Sequence, residues 1–213
     1  MPSIETILVV TLAGLALSAS PGPSMLYVLS RSVGQGRSAG LMSTGGMALG
    51  GILHAFAAAL GLSAVFAYSQ GAYAAIKIVG ALYLIYLGVR MFMSKKEAGP
   101  EADVKSIRNE PLAKIFYQGI LVELLNPKTI LFFLAFIPQF VDQGNGSIGL
   151  QLLILGMLVP LTAVPSDLIV SFAGGTVADR LAKNRSARRF LEWLAGTFLI
   201  GLGIRIFFDG RVI

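Results

Sequence analysis

Six long apolar stretches follow one another along this chain, at roughly residues 4–29, 40–68, 72–93, 113–138, 148–178 and 190–208. Each is near or above the ~20 residues that a helix needs to cross a hydrocarbon layer. This succession limits the fold more than any single motif, because a backbone in lipid must satisfy its hydrogen bonds within its own helix. The expectation is an all-α integral membrane protein with six spans. Composition agrees: 13% of the residues are charged and 55% hydrophobic, with a mean hydropathy of +0.75. A soluble domain carries about 25% charged residues, so this chain lacks the polar surface to cover itself in water. Its formal net charge of +6 comes from short loops rather than a basic stripe with interleaved aromatics, so nucleic acid is not an expected partner. The first stretch carries Glu5 and no Lys or Arg, and Pro21 follows Ala19-Ser20. Those features oppose a cleaved signal peptide, and the stretch is expected to stay as a helix.

Orientation follows from the loops that hold Lys and Arg. The first holds Arg31 and Arg37, the third Lys95, Lys96, Lys105 and Arg108, the fifth Arg180, Lys183, Arg185, Arg188 and Arg189. The second, at Gln70-Gly71, and the fourth, at Asp142-Gln143-Gly144, hold none. Loops one, three and five are therefore expected in the cytoplasm and both termini outside. A re-entrant first stretch would instead give five spans and an inner amino terminus. The mixed, charged linker at about 94–112 divides one transporter domain, 1–213, into halves of about 1–93 and 113–208. These halves resemble each other. Ala81 to Phe92 can be laid on Gly196 to Phe207, with Leu, Ile, Leu, Gly, Arg and Phe recurring in register, and Pro23 falls opposite Pro127. With three spans in each, the halves must be inverted, which also explains Arg205 lying outside as the counterpart of Arg90 inside. Paired broken helices in inverted repeats are the pattern of secondary transporters that bind substrate near the midplane.

The breaks themselves carry the candidate chemistry. Proline removes a backbone donor and clashes with the turn before it, so Pro21-Gly22-Pro23 must interrupt the first helix or end it at the cytoplasmic face. Asn126-Pro127-Lys128 interrupts the fourth stretch and places an ammonium within it, at a cost of about 3 kcal/mol on insertion scales. Glu123 and Asn126 lie three apart and share a helix face. Glu123 and Lys128 could form a neutralising pair. Alternatively Lys128, beside the positive end of the following half-helix, attracts a substrate carboxylate with Asn126. Glu123 would then meet an amine or carry a proton. Asp167, near Pro165 in the fifth stretch, is the second proton-carrying candidate, because burial favours the neutral acid; Ser166 or Ser171 could instead satisfy it. His54, the sole histidine, is a third candidate, although a packing role suits a lone histidine on a Gly/Ala-rich helix. Lys77 is placed to snorkel to an interface.

Several classes are excluded. There is no cysteine and one histidine, so disulfides, thiolate catalysis and Cys- or multi-His-bound metals drop out. No cofactor is expected. Gly34-Gln35-Gly36-Arg37-Ser38-Ala39 imitates a dinucleotide fingerprint but lacks the preceding strand and reads as an inter-span loop. Ser63 and His54 lie on one helix and form no plausible hydrolytic dyad. Without a phosphate loop, ATP hydrolysis is excluded, and an enzyme is not expected.

Taken together, these residues resemble the LysE/RhtB family of amino-acid exporters. The resemblance rests on Ser20-Pro21-Gly22-Pro23 followed by glycines 34, 36, 40, 45 and 50. It continues through Lys77, Gly80-Ala81-Leu82-Tyr83-Leu84 and Leu87-Gly88. The last block is Phe116, Gly119, Asn126-Pro127-Lys128 and Pro138-Gln139-Phe140. It covers almost the whole chain. The resemblance implies a multi-pass protein of the bacterial inner membrane that exports amino acids such as lysine, arginine, threonine, homoserine or leucine in exchange for protons. Its expected partners are an amino acid, protons and lipid. The residues alone reach only a small secondary transporter with broken helices. They leave open the substrate, the coupling ion and homo-oligomerisation, and also export of another solute or service as an accessory subunit.

Overall fold

The computed structural model describes residues 1–19, 22–68, 70–93, 109–142, 144–173 and 185–208. Pro21, Gln143, the linker residues 94–108 and the basic residues Arg180 and Lys183 lie outside them, as do the side chains of Lys77 and Arg90.

The first apolar stretch is two helices, α1 (Ile4–Ala19) and α2 (Pro23–Gln35), with axes 53° apart. Between them Gly22 is extended (φ −149°, ψ 179°). The chain restarts at Pro23 because proline suits the first helical position, where a missing N–H costs nothing. The helix thus resumes at Pro23, on a new axis, rather than giving way to a loop. α2 also runs six residues past the expected end of that stretch, so Arg31 is helical. The loop expected at residues 34–39 shrinks to Gly36, whose φ of +88° turns the chain directly into α3 (Arg37–Tyr68). A side chain at that φ would be strained.

After α4 (Gln70–Met93), the fourth stretch repeats the break. α5 (Leu112–Leu124) and α6 (Pro127–Leu131) belong to halves bent by 45°. Asn126, held extended by the proline after it, caps α6 by accepting from the Lys128 N–H at 3.0 Å. Beyond α6 the ladder widens into a π-helical turn at Phe132–Phe136 and tightens into a 3-10 turn at Ile137–Phe140. Pro138 offers no donor, and such a change of helix type accommodates the missing bond. Two helices complete the chain, α7 (Ile148–Ala173), with Pro160 and Pro165 inside it, and α8 (Arg185–Phe208).

Among the described residues α3 and α7 are each long and apolar enough to cross a bilayer, and the count is four if each bent pair is one span. α4 and α8, of 24 residues each, are helical where the third and sixth spans are expected. The faces bear out a lipid environment. α1 buries Val10, Ala13 and Leu17 yet exposes Leu8, Leu12 and Leu15, and a helix apolar on both faces belongs in a core or a membrane.

α3 is central, lying against α7, α5 and α2, while α4 lies against α8. Lipid tails are as apolar as leucine, so such helices associate by close packing rather than by hydrophobic exclusion. Glycines make that packing possible. A Cβ at Gly119 would lie 2.8 Å from the Ser43 carbonyl, and one at Gly46 would fall on the Phe116 carbonyl. Between α4 and α8 the contacts are reciprocal. A Cβ at Gly88 would meet Gly196 O at 2.6 Å and Ile200 Cγ1 at 2.5 Å, while one at Gly203 would meet Ala81 O and Ile85 Cγ1, each at 2.8 Å. Gly88 matches Gly203, Gly196 matches Ala81 and Ile200 matches Ile85 in the sequence repeat, so exchanging the two stretches regenerates the contact. As one partner number rises the other falls, so the two helices run antiparallel. A local two-fold axis would produce this arrangement.

Candidate functional site

The two breaks meet around one cavity of about 60 Å³. That is several times the ~10–15 Å³ a single water requires. Gly14, Leu17 and Ser18 of α1 line it beside Gly22, Ser24 and Met25 at the start of α2. Glu123, Asn126, Lys128 and Thr129 enter from the second break, and α7 contributes Pro160 and Asp167. Gly51 and Ala48 of α3 complete the wall.

Hydrogen bonds join one break to the other. Asn126 Nδ2 donates to Ser24 Oγ at 2.6 Å, and Ser24 Oγ donates to Glu123 Oε2 at 2.5 Å. Thr129 Oγ1 donates to the other carboxylate oxygen, Oε1, at 2.8 Å. Both oxygens of Glu123 are thus engaged by hydroxyls, one from each broken helix. The Lys128 ammonium donates to the carbonyl of Leu17. That carbonyl is in the last turn of α1, where such groups lose their helical partners and where the helix dipole favours a cation. At the start of α2 the cap residue is Gly22, and among the described residues no side chain caps the N–H groups. Anion-attracting and cation-attracting backbone ends therefore border the same small space. Asp167 lies on the α7 wall, 7% exposed, and its carboxylate makes no hydrogen bond or ion pair with a described residue. Neither neighbouring serine satisfies it: Ser166 donates to Ala163 O and Ser171 pairs with Thr44.

The structure brings Gly22, Glu123, Asn126, Lys128 and Asp167 together. Pro23 and Pro127 form the breaks without lining the cavity. His54 is elsewhere: its Nε2 contacts the Glu123 backbone carbonyl at 3.1 Å and its ring stacks on Phe133, with centroids 5.3 Å apart. Ser24, Thr129 and the Leu17 carbonyl were not singled out by sequence. A serine or threonine in an apolar run usually bonds its own helix, as Ser32 does to Val28 O. The one available signal was position, since Ser24 stands opposite Lys128 in the repeat.

Comparison with known proteins decides the family. The LysE type translocator family matches residues 15–210. This chain belongs to that family. Among its relatives are the membrane protein YrhP of Bacillus subtilis, 34% identical over 87% of this chain and 90% of that one, and a membrane protein of Pseudomonas aeruginosa, 30% identical over 87% of each. A leucine efflux protein of Enterobacter is 28% identical, also over 87% of each. No solved structure matches. Membership makes this LysE type translocator a membrane protein of a transport family.

Proposed function

We propose that this LysE type translocator is a secondary transporter of the bacterial inner membrane, exporting amino acids in exchange for protons through six spans built as two inverted repeats. The observation that carries the proposal is one cavity at the meeting of two broken helices, holding one lysine and two acids. A zwitterion needs opposite charges a short distance apart. The uncapped start of α2, with Lys128 and Asn126, suits its carboxylate. The acids and the carbonyl end of α1 suit its ammonium. The reciprocal packing of α4 on α8 and the placing of α3 on α5 and α7 on α1 support inverted halves. The relative named as a leucine efflux protein makes leucine the first substrate to try.

Counterflow into proteoliposomes, with a panel of amino acids trapped inside, tests this. Leucine or another neutral amino acid should exchange, faster when the pH gradient opposes it. A panel without exchange, from protein that remains monodisperse, would remove the exporter reading.

A further inference from the structure

We infer that Asp167 alone takes the substrate's ammonium and the exchanged proton by turns, while Glu123 is a positioning residue that ties the two breaks together. The inference rests on the exporter reading and assigns within it what that reading leaves shared between two acids.

Two carboxylates line the cavity, and their surroundings differ. Glu123 has both oxygens filled by hydroxyl donors, from Ser24 at 2.5 Å and Thr129 at 2.8 Å. Ser24 is in turn fixed by Asn126, the residue that caps α6. Releasing Glu123 to a substrate would therefore break the hydroxyl links that tie one break to the other. Asp167 has no such partner among the described residues, although it is more than nine-tenths buried and lines the space. With no described protein partner, a carboxyl that faces the cavity takes its partner from whatever occupies that space. An acid in that position has two ways to be satisfied. It can hold a proton and be neutral, or ionise against a cation that fits the cavity.

Those two states exclude each other, and this exclusion is sufficient for exchange. On the cytoplasmic side the ammonium of the substrate meets protonated Asp167. The carboxyl O–H bond breaks, the proton leaves to the cytoplasm, and the carboxylate pairs with the ammonium. On the outer side the substrate departs and an external proton forms the O–H bond again. One zwitterion moves out for each proton that enters. The charged or titratable groups nearby have other engagements. Lys128 donates to Leu17 O, and His54 rests on the backbone of Glu123. On α2, Arg31 and Tyr27 both reach Gln118. α1 carries Glu5 alone, near its start, and α7 has no acid besides Asp167.

The test uses the purified full-length protein in weak buffer, with leucine as the probe and a pH-sensitive dye as the readout. Wild type should release about one proton per leucine bound, and its apparent affinity should weaken by up to about tenfold per pH unit on the acid side. Asp167→Asn should release none and lose the pH dependence, whereas Asp167→Glu should keep both. Glu123→Gln should keep proton release, with a lower thermal midpoint. Leucine binding without proton release in wild type overturns the inference and the proton exchange, while leaving amino-acid export standing. Release that survives in Asp167→Asn or vanishes in Glu123→Gln alone overturns the inference and leaves the exporter reading standing. Should Asp167→Asn not fold, Asp167→Glu decides: leucine binding with release lost counts against the single site. A wild type that exchanges no amino acid in the counterflow panel removes the exporter reading itself.

Discussion

Ser24 stands between Asn126 and Glu123, accepting from one and donating to the other. Ser24→Ala strips a partner from each, and an unsatisfied group in a secluded site costs about 1–3 kcal/mol. The thermal midpoint in detergent should therefore fall for Ser24→Ala. It should hardly move for Ser166→Ala, whose hydroxyl bonds only Ala163 O of its own helix. Equal midpoints would mean that the link between the breaks contributes nothing. Lys128 poses the opposite case. A cation at mid-membrane costs roughly 2.5–3.5 kcal/mol on insertion scales, a cost set against its contacts, the Leu17 carbonyl among them. Lys128→Ala should melt no lower than wild type while leucine counterflow drops by about tenfold or more, the loss expected for one charge-assisted contact worth ~1.5–3 kcal/mol. Counterflow at the normal rate would take the carboxylate role away from Lys128. The three charges could be picked from sequence because each is expensive in an apolar run. Their separation into a braced glutamate and an unpaired aspartate could not. It depends on hydroxyls that only the fold brings to Glu123.

Helices in this protein touch where side chains are missing. Gly88 and Gly203 occupy matched places in the α4–α8 crossing, each within 2.8 Å of the facing backbone once a Cβ is added. Gly88→Ala and Gly203→Ala should thus lose similar amounts, about 1–3 kcal/mol each, as overpacked sites do. Gly201, with nothing within 4 Å, is the control. Gly201→Ala should be neutral or stabilising by up to ~1 kcal/mol, because alanine is the better helix former. Thermal midpoints of the three variants in one detergent give the comparison, and unequal losses at Gly88 and Gly203 would weaken the two-fold relation. Both breaks were legible as elements, since proline next to glycine or asparagine in a long apolar run admits few other structures. The length of α2 was not. Its second half carries Ser30, Arg31, Ser32 and Gln35 and so resembles a loop. Partners on the α5 side make it a helix: Gln118 accepts from Arg31 at 2.9 Å, and Gln35 pairs with both backbone groups of Glu110. Those residues lie 75 or more positions away, beyond any local pattern.

At the scale of the whole molecule, inverted halves require that corresponding corners lie on opposite sides of the bilayer. Ser38, just after the Gly36 corner, and Ser147, just before α7, are both exposed and sit at such corners. The distribution of Lys and Arg places Ser38 with the cytoplasmic loops and Ser147 outside. The chain has no cysteine, so single substitutions report without background. Ser147→Cys should react with a membrane-impermeant maleimide in intact cells, whereas Ser38→Cys should react only after lysis or in inverted vesicles. Serine to cysteine changes one atom, which keeps the fold out of the comparison. The reverse pattern would put the amino terminus inside and undo the assignment of substrate and proton to their sides. Labelling of both from one face would be more damaging. A bent pair would then be re-entrant rather than a span, the halves could not be inverted, and the cavity between the breaks would open to one side only.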